Sequence, residues 1–238
     1  MGEGNTFHKT LIEPAELKLL NIKLGDRILD IACGNGQFAR KMACLGAKVT
    51  AIDFAENFIA IAKSKGGANI EYQVIDTTRE TDLDKLKGKV FDSMVCTMAI
   101  MDMENIEVLV KYMPKIMRKE GVFVFSILHP CFNSGENALV QEQTDVDGEL
   151  KSRYYVKVSN YSIVKSTLGI GMAGQPQPQY YFHRPVSTIL KYFFESGFVL
   201  DGYEEPSFAN IEKSERIYDN VFKFIPPALV CRLRLVIK

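Results

Sequence analysis

Three aspartates in the first third of the chain share one setting. Asp30 sits in the run Ile28-Leu29-Asp30-Ile31, Asp53 follows Val49-Thr50-Ala51-Ile52, and Asp76 follows Val74-Ile75. Each run is short, apolar and rich in β-branched residues. Directly after the first comes Ala32-Cys33-Gly34-Asn35-Gly36, a tight turn with two glycines, and then a helical pattern. Glycine admits a positive φ and lets backbone approach a ligand closely. In open α/β sheets, ligands bind at the carboxyl ends of the strands. One aspartate after a strand is usually a turn residue. Three at the ends of consecutive strands point to a ligand with several hydrogen-bond donors.

Two cofactor classes fit such a turn. Gly34-x-Gly36-x-x-Ala39, with Asp53 as a ribose acid, matches the short dinucleotide pattern. S-adenosyl-L-methionine is the other. Its amino-acid end carries an ammonium and its sulfonium is positive. An acid at the end of the first strand attracts these charges and would repel a pyrophosphate, so Asp30 favours the sulfonium cofactor, with S-adenosyl-L-homocysteine as product. Asp53 can then take the ribose hydroxyls and Asp76 the adenine amino group. Cys33, inside the turn, has no partner that would make it a nucleophile and reads as a packing residue.

Residues for the acceptor side are fewer. His129 follows the fifth apolar run in a His-Pro pair, and Asp102 falls near the edge of the fourth; these two are the candidates for catalysis. His129, His8, Arg184 and Tyr181 are the candidates for contact with substrate. His8 lies in an N-terminal stretch, residues 1–25, expected to form a helical lid. Arg184 either binds an acidic group or pairs with a surface carboxylate. No histidines and carboxylates show metal-ligand spacing, so no metal is expected.

These positions need a scaffold, and its rhythm is legible. Apolar runs at 27–31, 48–52, 70–75, 91–96 and 121–127 alternate with helical patterns, which suits a parallel sheet covered on both faces. Phe38, Met42 and Leu45 form one helical stripe, closed by Gly46. Ile106, Leu109, Val110, Met113 and Met117 form another, with Pro114 expected to kink or split it. Residues 135–182 break the rhythm. Tyr154, Tyr155, Tyr161, Tyr180, Tyr181 and Phe182 mark a β-rich insertion of loops and one or two hairpins, either a roof over the substrate or packing on the sheet. Helix and strand then return over 186–193 and 198–200, and residues 230–237 alternate as a final strand. The expected fold is a single α/β domain over 1–238. Its doubly wound Rossmann-like sheet is mostly parallel, with an antiparallel last strand and the insertion as a lid.

Composition narrows the partners. The 238 residues carry 29 Lys+Arg and 29 Asp+Glu, so the net charge of zero gives no support to a polyanion partner. No apolar run reaches membrane-spanning length, and residues 1–10 hold no apolar signal segment. Five cysteines, an odd number without Cys-x-x-Cys spacing, fit a reducing cytosol. A cytoplasmic monomer or homodimer acting on a small molecule, with neither nucleic acid nor membrane as partner, is expected.

The chain resembles the class I S-adenosylmethionine-dependent methyltransferases, in the small-molecule branch of type 11 and type 25 domains. Leu29-Asp30-Ile31-Ala32-Cys33-Gly34-Asn35-Gly36 is similar to that family's first motif, and Ala51-Ile52-Asp53-Phe54-Ala55 to its second-strand motif. Val95-Cys96-Thr97-Met98 and the stretch from Arg118 to Ser126 resemble the segments after the fourth strand and into the fifth. The resemblance implies that Asp30, Ala32, Cys33, Gly34 and Gly36 wrap the methionine part. It places Asp53 on the ribose, with Phe54, Asp76 and Thr77 around the adenine, and Thr97 and Met98 along the cofactor or substrate side. Ala32 replaces a frequent glycine and is expected to tighten the turn. Glu120 stands where glycine is common and is expected to matter little. The implied chemistry is in-line displacement at the methyl carbon, which rests largely on alignment. A catalytically silent cofactor-binding module and an NAD(P)-dependent oxidoreductase are the alternatives. The absence of an Asn/Asp-Pro-Pro-aromatic run argues against amino methylation of nucleic acid.

Overall fold

The computed structural model describes residues 6–134, 136–171, 175, 177–209 and 216–236. Residues 1–5 of the expected lid, Gly135, much of the segment 171–178 and Ile237 of the expected last strand lie outside them. A π-helical turn, His8–Ile12, leads into α1 (Glu13–Leu20). Then β1 (Arg27–Ile31), α2 (Gln37–Cys44), β2 (Lys48–Asp53), α3 (Glu56–Ser64), β3 (Ile70–Val74), α4 (Glu80–Leu83) and β4 (Phe91–Thr97) alternate. α5 (Glu107–Ile116) and β5 (Met117–Leu128) follow. Two hairpins come next, β6 (Ala138–Val146) with β7 (Glu149–Lys157), and β8 (Lys165–Gly169) with β9 (Gln179–His183). α6 (Val186–Glu195), β10 (Phe198–Glu204), α7 (Ile217–Val221) and β11 (Ala228–Leu235) complete the described chain.

The main sheet has the order β10-β11-β5-β4-β1-β2-β3. Pairing is parallel from β5 through β3, and β11 is antiparallel to both its neighbours. This is the expected Rossmann-like sheet with an antiparallel last strand. Strand alternation sends side chains to two cores. Leu29, Ile31, Met94, Phe123, Phe125 and Leu233 face α5 and α6, while Ile28, Val49, Val95, Val124 and Val230 face α1, α2 and α3. Phe123, Phe125 and Phe193 stack with centroids 5.4–5.8 Å apart and tie α6 to β5. Burial on both faces is why these strands read as continuous apolar runs.

Several local expectations are corrected. Leu45 is exposed, because α2 ends at Cys44 and the chain turns away before Gly46. Pro114 does not split α5; it falls in the last turn, with only Lys115 and Ile116 beyond it. Met117 belongs to β5 rather than to the helix, so that strand starts four residues earlier than its apolar run. Glu120, expected to matter little, takes φ +60° inside β5 and pairs with Arg234 across the sheet. The hairpins differ in their packing. Leu139, Tyr154 and Val156 of β6–β7 join Leu11, Ile12, Phe208 and Phe222 in a third core, while β8–β9 lies beside the turn Ile100–Asp102.

Candidate functional site

The glycine turn bends sharply between β1 and α2. Ala32, Gly34 and Gly36 have φ of +56°, +52° and +73°. The Cys33 N–H donates to Ile52 O at 2.9 Å, which pins the turn to β2, and the Gly36 N–H returns to Cys33 O at 2.9 Å. A side chain at Gly36 would put its first carbon 2.6 Å from the Tyr72 hydroxyl, so this position excludes even alanine without movement. Ala32 does more than tighten the turn. It holds a left-handed conformation that costs an alanine roughly 1 kcal/mol. Burial pushes the Cys33 thiol pKa up, which leaves it an inert packing group.

Asp53 closes the turn from the β2 side. Its Oδ2 accepts the Gly34 N–H at 2.8 Å and its Oδ1 accepts the Ala55 N–H at 2.9 Å. Each oxygen keeps a second lone pair for a ligand hydroxyl. Phe54, beside it, is 74% exposed, an unusual state for a phenylalanine and one that leaves a flat ring for stacking. Asp30 lies just below the turn and is 1% exposed. The Ala39 N–H, in the first turn of α2, faces its carboxylate, yet Oδ2 has no hydrogen-bond partner among the described residues. Burial first, then the nearby Glu16 and Asp53, push the Asp30 pKa well above the usual carboxylate range.

Glu16 was not among the residues singled out from the sequence. It projects from α1, is fully buried, and accepts the Thr97 hydroxyl on Oε2 at 2.9 Å, with the Ser126 hydroxyl also acting on the carboxyl, while Oε1 has no partner within hydrogen-bond geometry among the described residues. The signal was present. Ile12, Glu16, Leu19 and Leu20 lie on one helical face, and a charge inside an apolar stripe is out of place. Glu13, one turn before, pairs with Lys41 and accepts from Gln37 at 3.2 Å, both on α2. His8 is half-buried on the same segment near Glu13, and burial lowers its pKa.

Around the third strand the picture changes. Asp76 Oδ1 accepts the N–H and hydroxyl of Thr78 at 3.0 and 2.7 Å, and Oδ2 pairs with Arg79 at 3.3 Å. Its carboxylate shapes its own turn, and Thr77 is buried beside Met103.

The residues expected on the acceptor side lie past β4 and β5. Met98 holds φ +52°, with its N–H on Ser126 O and Oγ at 3.1 and 2.9 Å. His129 is buried and stacks on Phe132 with centroids 4.4 Å apart. Its Nδ1 accepts the Cys131 N–H at 3.2 Å, so Nε2 carries the proton and donates to Glu205 at 2.9 Å. Burial lowers its pKa, against the pull of Glu205. Both nitrogens are engaged in this ligand-free arrangement, Nε2 with Glu205 and Nδ1 with the Cys131 N–H. Arg184 forms no ion pair among the described residues, although the Glu104 charge acts on it against the effect of burial. It is buried, with Nη2 on Met103 O at 2.8 Å and on Glu104 O, and Nη1 on Phe182 O at 3.3 Å. Through these carbonyls it fastens the 103–104 loop to β9. Asp102 keeps an open edge to solvent, but the groups crowding its carboxyl raise its pKa to about 7, with Gln179 opposing by a hydrogen bond. Tyr181, on the same strand as Gln179, is half-buried and senses the Asp102 charge.

The methyltransferase domain family matches residues 29–125, the stretch from the glycine turn through β5. A ubiquinone biosynthesis O-methyltransferase from Idiomarina loihiensis is 30% identical over 135 residues, covering 54% of each chain. One from Xanthomonas axonopodis pv. citri is 27% identical over 124 residues, 50% of this chain and 51% of that one. The chain thus spans about half the length of the curated relatives it matches. Among solved structures, an S-adenosylmethionine-dependent methyltransferase from Mesorhizobium loti is 25% identical. It superposes with a TM-score of 0.71 over 93% of this chain and 96% of that one. The glycopeptide N-methyltransferase MtfA complexed with S-adenosyl-L-methionine shares the fold at 14% identity, TM-score 0.56, over 90% and 89% of the two chains.

Proposed function

Because residues 29–125 belong to the methyltransferase domain family and the whole chain has the class I S-adenosylmethionine-dependent methyltransferase fold, we propose that this protein methylates a small-molecule acceptor. The observation that carries the reading is Asp30. It is a buried carboxylate beneath a glycine turn, with an unpartnered oxygen and other carboxylates as its charged neighbours. A buried acid in that state costs stability unless a cation completes it. The positive methionine end of S-adenosylmethionine is such a cation, and a dinucleotide pyrophosphate would be repelled.

When bound, S-adenosylmethionine supplies an activated methyl group and a neutral thioether as leaving group. The chain's own residues hold and align. Asp30 and the N–H groups of the glycine turn bind the methionine end. Asp53 takes the ribose hydroxyls on its free lone pairs, and the exposed Phe54 ring packs on the adenine. Asp102, Gln179 and Tyr181 line the acceptor side. With a pKa near 7, Asp102 can take a proton from an acceptor that arrives protonated. The remaining contribution is proximity and alignment.

Calorimetric titration with S-adenosyl-L-homocysteine, beside NAD and NADP, tests the cofactor class. Saturable binding of the first alone supports the reading, and binding of a dinucleotide alone overturns it. Transfer of an isotopically labelled methyl group to a panel of phenols, carboxylic acids and amines then tests the acceptor. Oxygen acceptors come first, since the curated relatives are named O-methyltransferases. Labelling of protein or RNA with no product in the panel would remove the small-molecule reading.

A further inference from the structure

Among the described residues of the N-terminal segment, Glu16 is the fully buried carboxylate, and packing does not explain it. A leucine there would continue the stripe of Ile12, Leu19 and Leu20. Instead Oε2 meets Thr97 at 2.9 Å and Oε1 is buried without a partner, as is Oδ2 of Asp30. The groups that face Glu16 are Glu13 on its own segment, Asp30 from β1, the Thr97 and Ser126 hydroxyls from β4 and β5, and the Cys96 thiol. None is a cation. The two unsatisfied acids come from different elements, α1 and β1, and lie close enough for the Glu16 charge to act on Asp30. Glu13 meanwhile grips Lys41 and Gln37 on α2, the helix that the glycine turn opens.

Resting on the S-adenosylmethionine reading of Asp30, we propose that Glu16 is a second carboxylate contact for the cofactor's positively charged methionine end. Residues 8–20 are then a closing segment of the cofactor site, and cofactor binding expels a proton from Glu16 to solvent. The balance is simple. The neutral carboxyl gives its proton to buffer, and the carboxylate left behind meets the incoming positive charge. Burial pushes the Glu16 pKa up to about 8, opposed by the Ser126 and Thr97 hydroxyls, so the ligand-free protein holds that proton at neutral pH.

The test is calorimetry of S-adenosyl-L-homocysteine binding to the full chain at pH 7, in phosphate and in Tris. The difference in heat counts protons released. The wild-type protein is expected to release close to one proton more than Glu16→Gln. The affinity lost in Glu16→Gln should grow from pH 6.5 to pH 8.5, reaching about tenfold or more as the wild-type carboxylate ionises. A purely structural role would not produce a loss that grows with pH. Equal affinity and equal proton release in both proteins at every pH overturns the proposal. A second measurement needs no variant: saturating S-adenosyl-L-homocysteine should slow amide exchange across residues 13–20 of the wild-type chain at least tenfold. Unchanged exchange there also overturns it. If the wild-type chain does not bind S-adenosyl-L-homocysteine at all, the reading of Asp30 falls, and this proposal with it. Binding without Glu16 dependence removes only the role of Glu16.

Discussion

The polar groups around the glycine turn and those past β5 are buried to a similar degree, yet they stand in opposite states. Asp30 and Glu16 each keep an oxygen with no partner, and their charged neighbours are carboxylates. His129 and Arg184 are equally enclosed, but both nitrogens of the one and the guanidinium of the other are bound to Cys131, Glu205 and three carbonyls. Burial alone therefore does not separate a binding group from a structural one. A satisfied buried group maintains the fold, while an unsatisfied one weakens the fold until a ligand arrives.

Substitutions should break this contrast in opposite directions. The largest effect is expected from Asp30→Asn. It should weaken S-adenosyl-L-homocysteine binding by about 2–3 kcal/mol, the worth of a hydrogen bond to a charged group. The ligand-free melting temperature should hold or rise, since an acid that burial disfavours is replaced by a neutral amide while the Ala39 N–H keeps an acceptor. A calorimetric titration with a thermal melt reads both, and a variant that binds normally defeats the comparison. Arg184→Met should do the reverse. It strands the carbonyls of Phe182, Met103 and Glu104 and should cost about 2 kcal/mol of stability in denaturant unfolding. Affinity for S-adenosyl-L-homocysteine should stay within about twofold of the parent.

A smaller effect follows from pH. The folded pKa of Glu16, about 8, lies above its ordinary value of 4.5, and that of Asp30 is raised too. Between those values the folded state holds protons that the unfolded chain has released, so stability falls as pH rises toward 8. The lowered pKa values of His8 and His129 act the other way, but only below the ordinary histidine value of 6.5. Ligand-free melting temperature should therefore decline from pH 6.5 to 8, and Glu16→Gln should flatten the decline. A temperature that climbs over that window contradicts the unsatisfied-acid reading. The smallest effect is expected at Ala32, whose φ of +56° suits glycine. Ala32→Gly should stabilise the protein by roughly 0.5–1 kcal/mol in denaturant unfolding, and a loss of stability would show that the alanine methyl packs against something essential.

The two regions also differ in how much could be read from residues alone. β1, the glycine turn and Asp53 were legible because strands buried on both faces leave continuous apolar runs, and the turn needs particular residue types at fixed offsets. The partners of His129 and Arg184 were not legible, because Glu205 and the carbonyls of residues 103 and 104 are about 80 positions away in sequence. Leu45 and Met117 were assigned to helical stripes because periodicity marks a face but not where the helix stops. Glu16 was passed over because a charge on a short N-terminal helix ordinarily reads as solvated. Only the packing of α1 against the sheet makes it buried.

What the sequence determined by itself is the alternation of strands and helices, the parallel sheet they imply, and the acidic, glycine-rich turn after the first strand. All of these follow from local patterns of period two and 3.6 and from turn chemistry within a few residues. Tertiary structure alone decided which buried polar groups are satisfied. A hydrogen bond is made or missed by atoms that the fold brings together, and no local pattern records that Oδ2 of Asp30 and Oε1 of Glu16 were left without one.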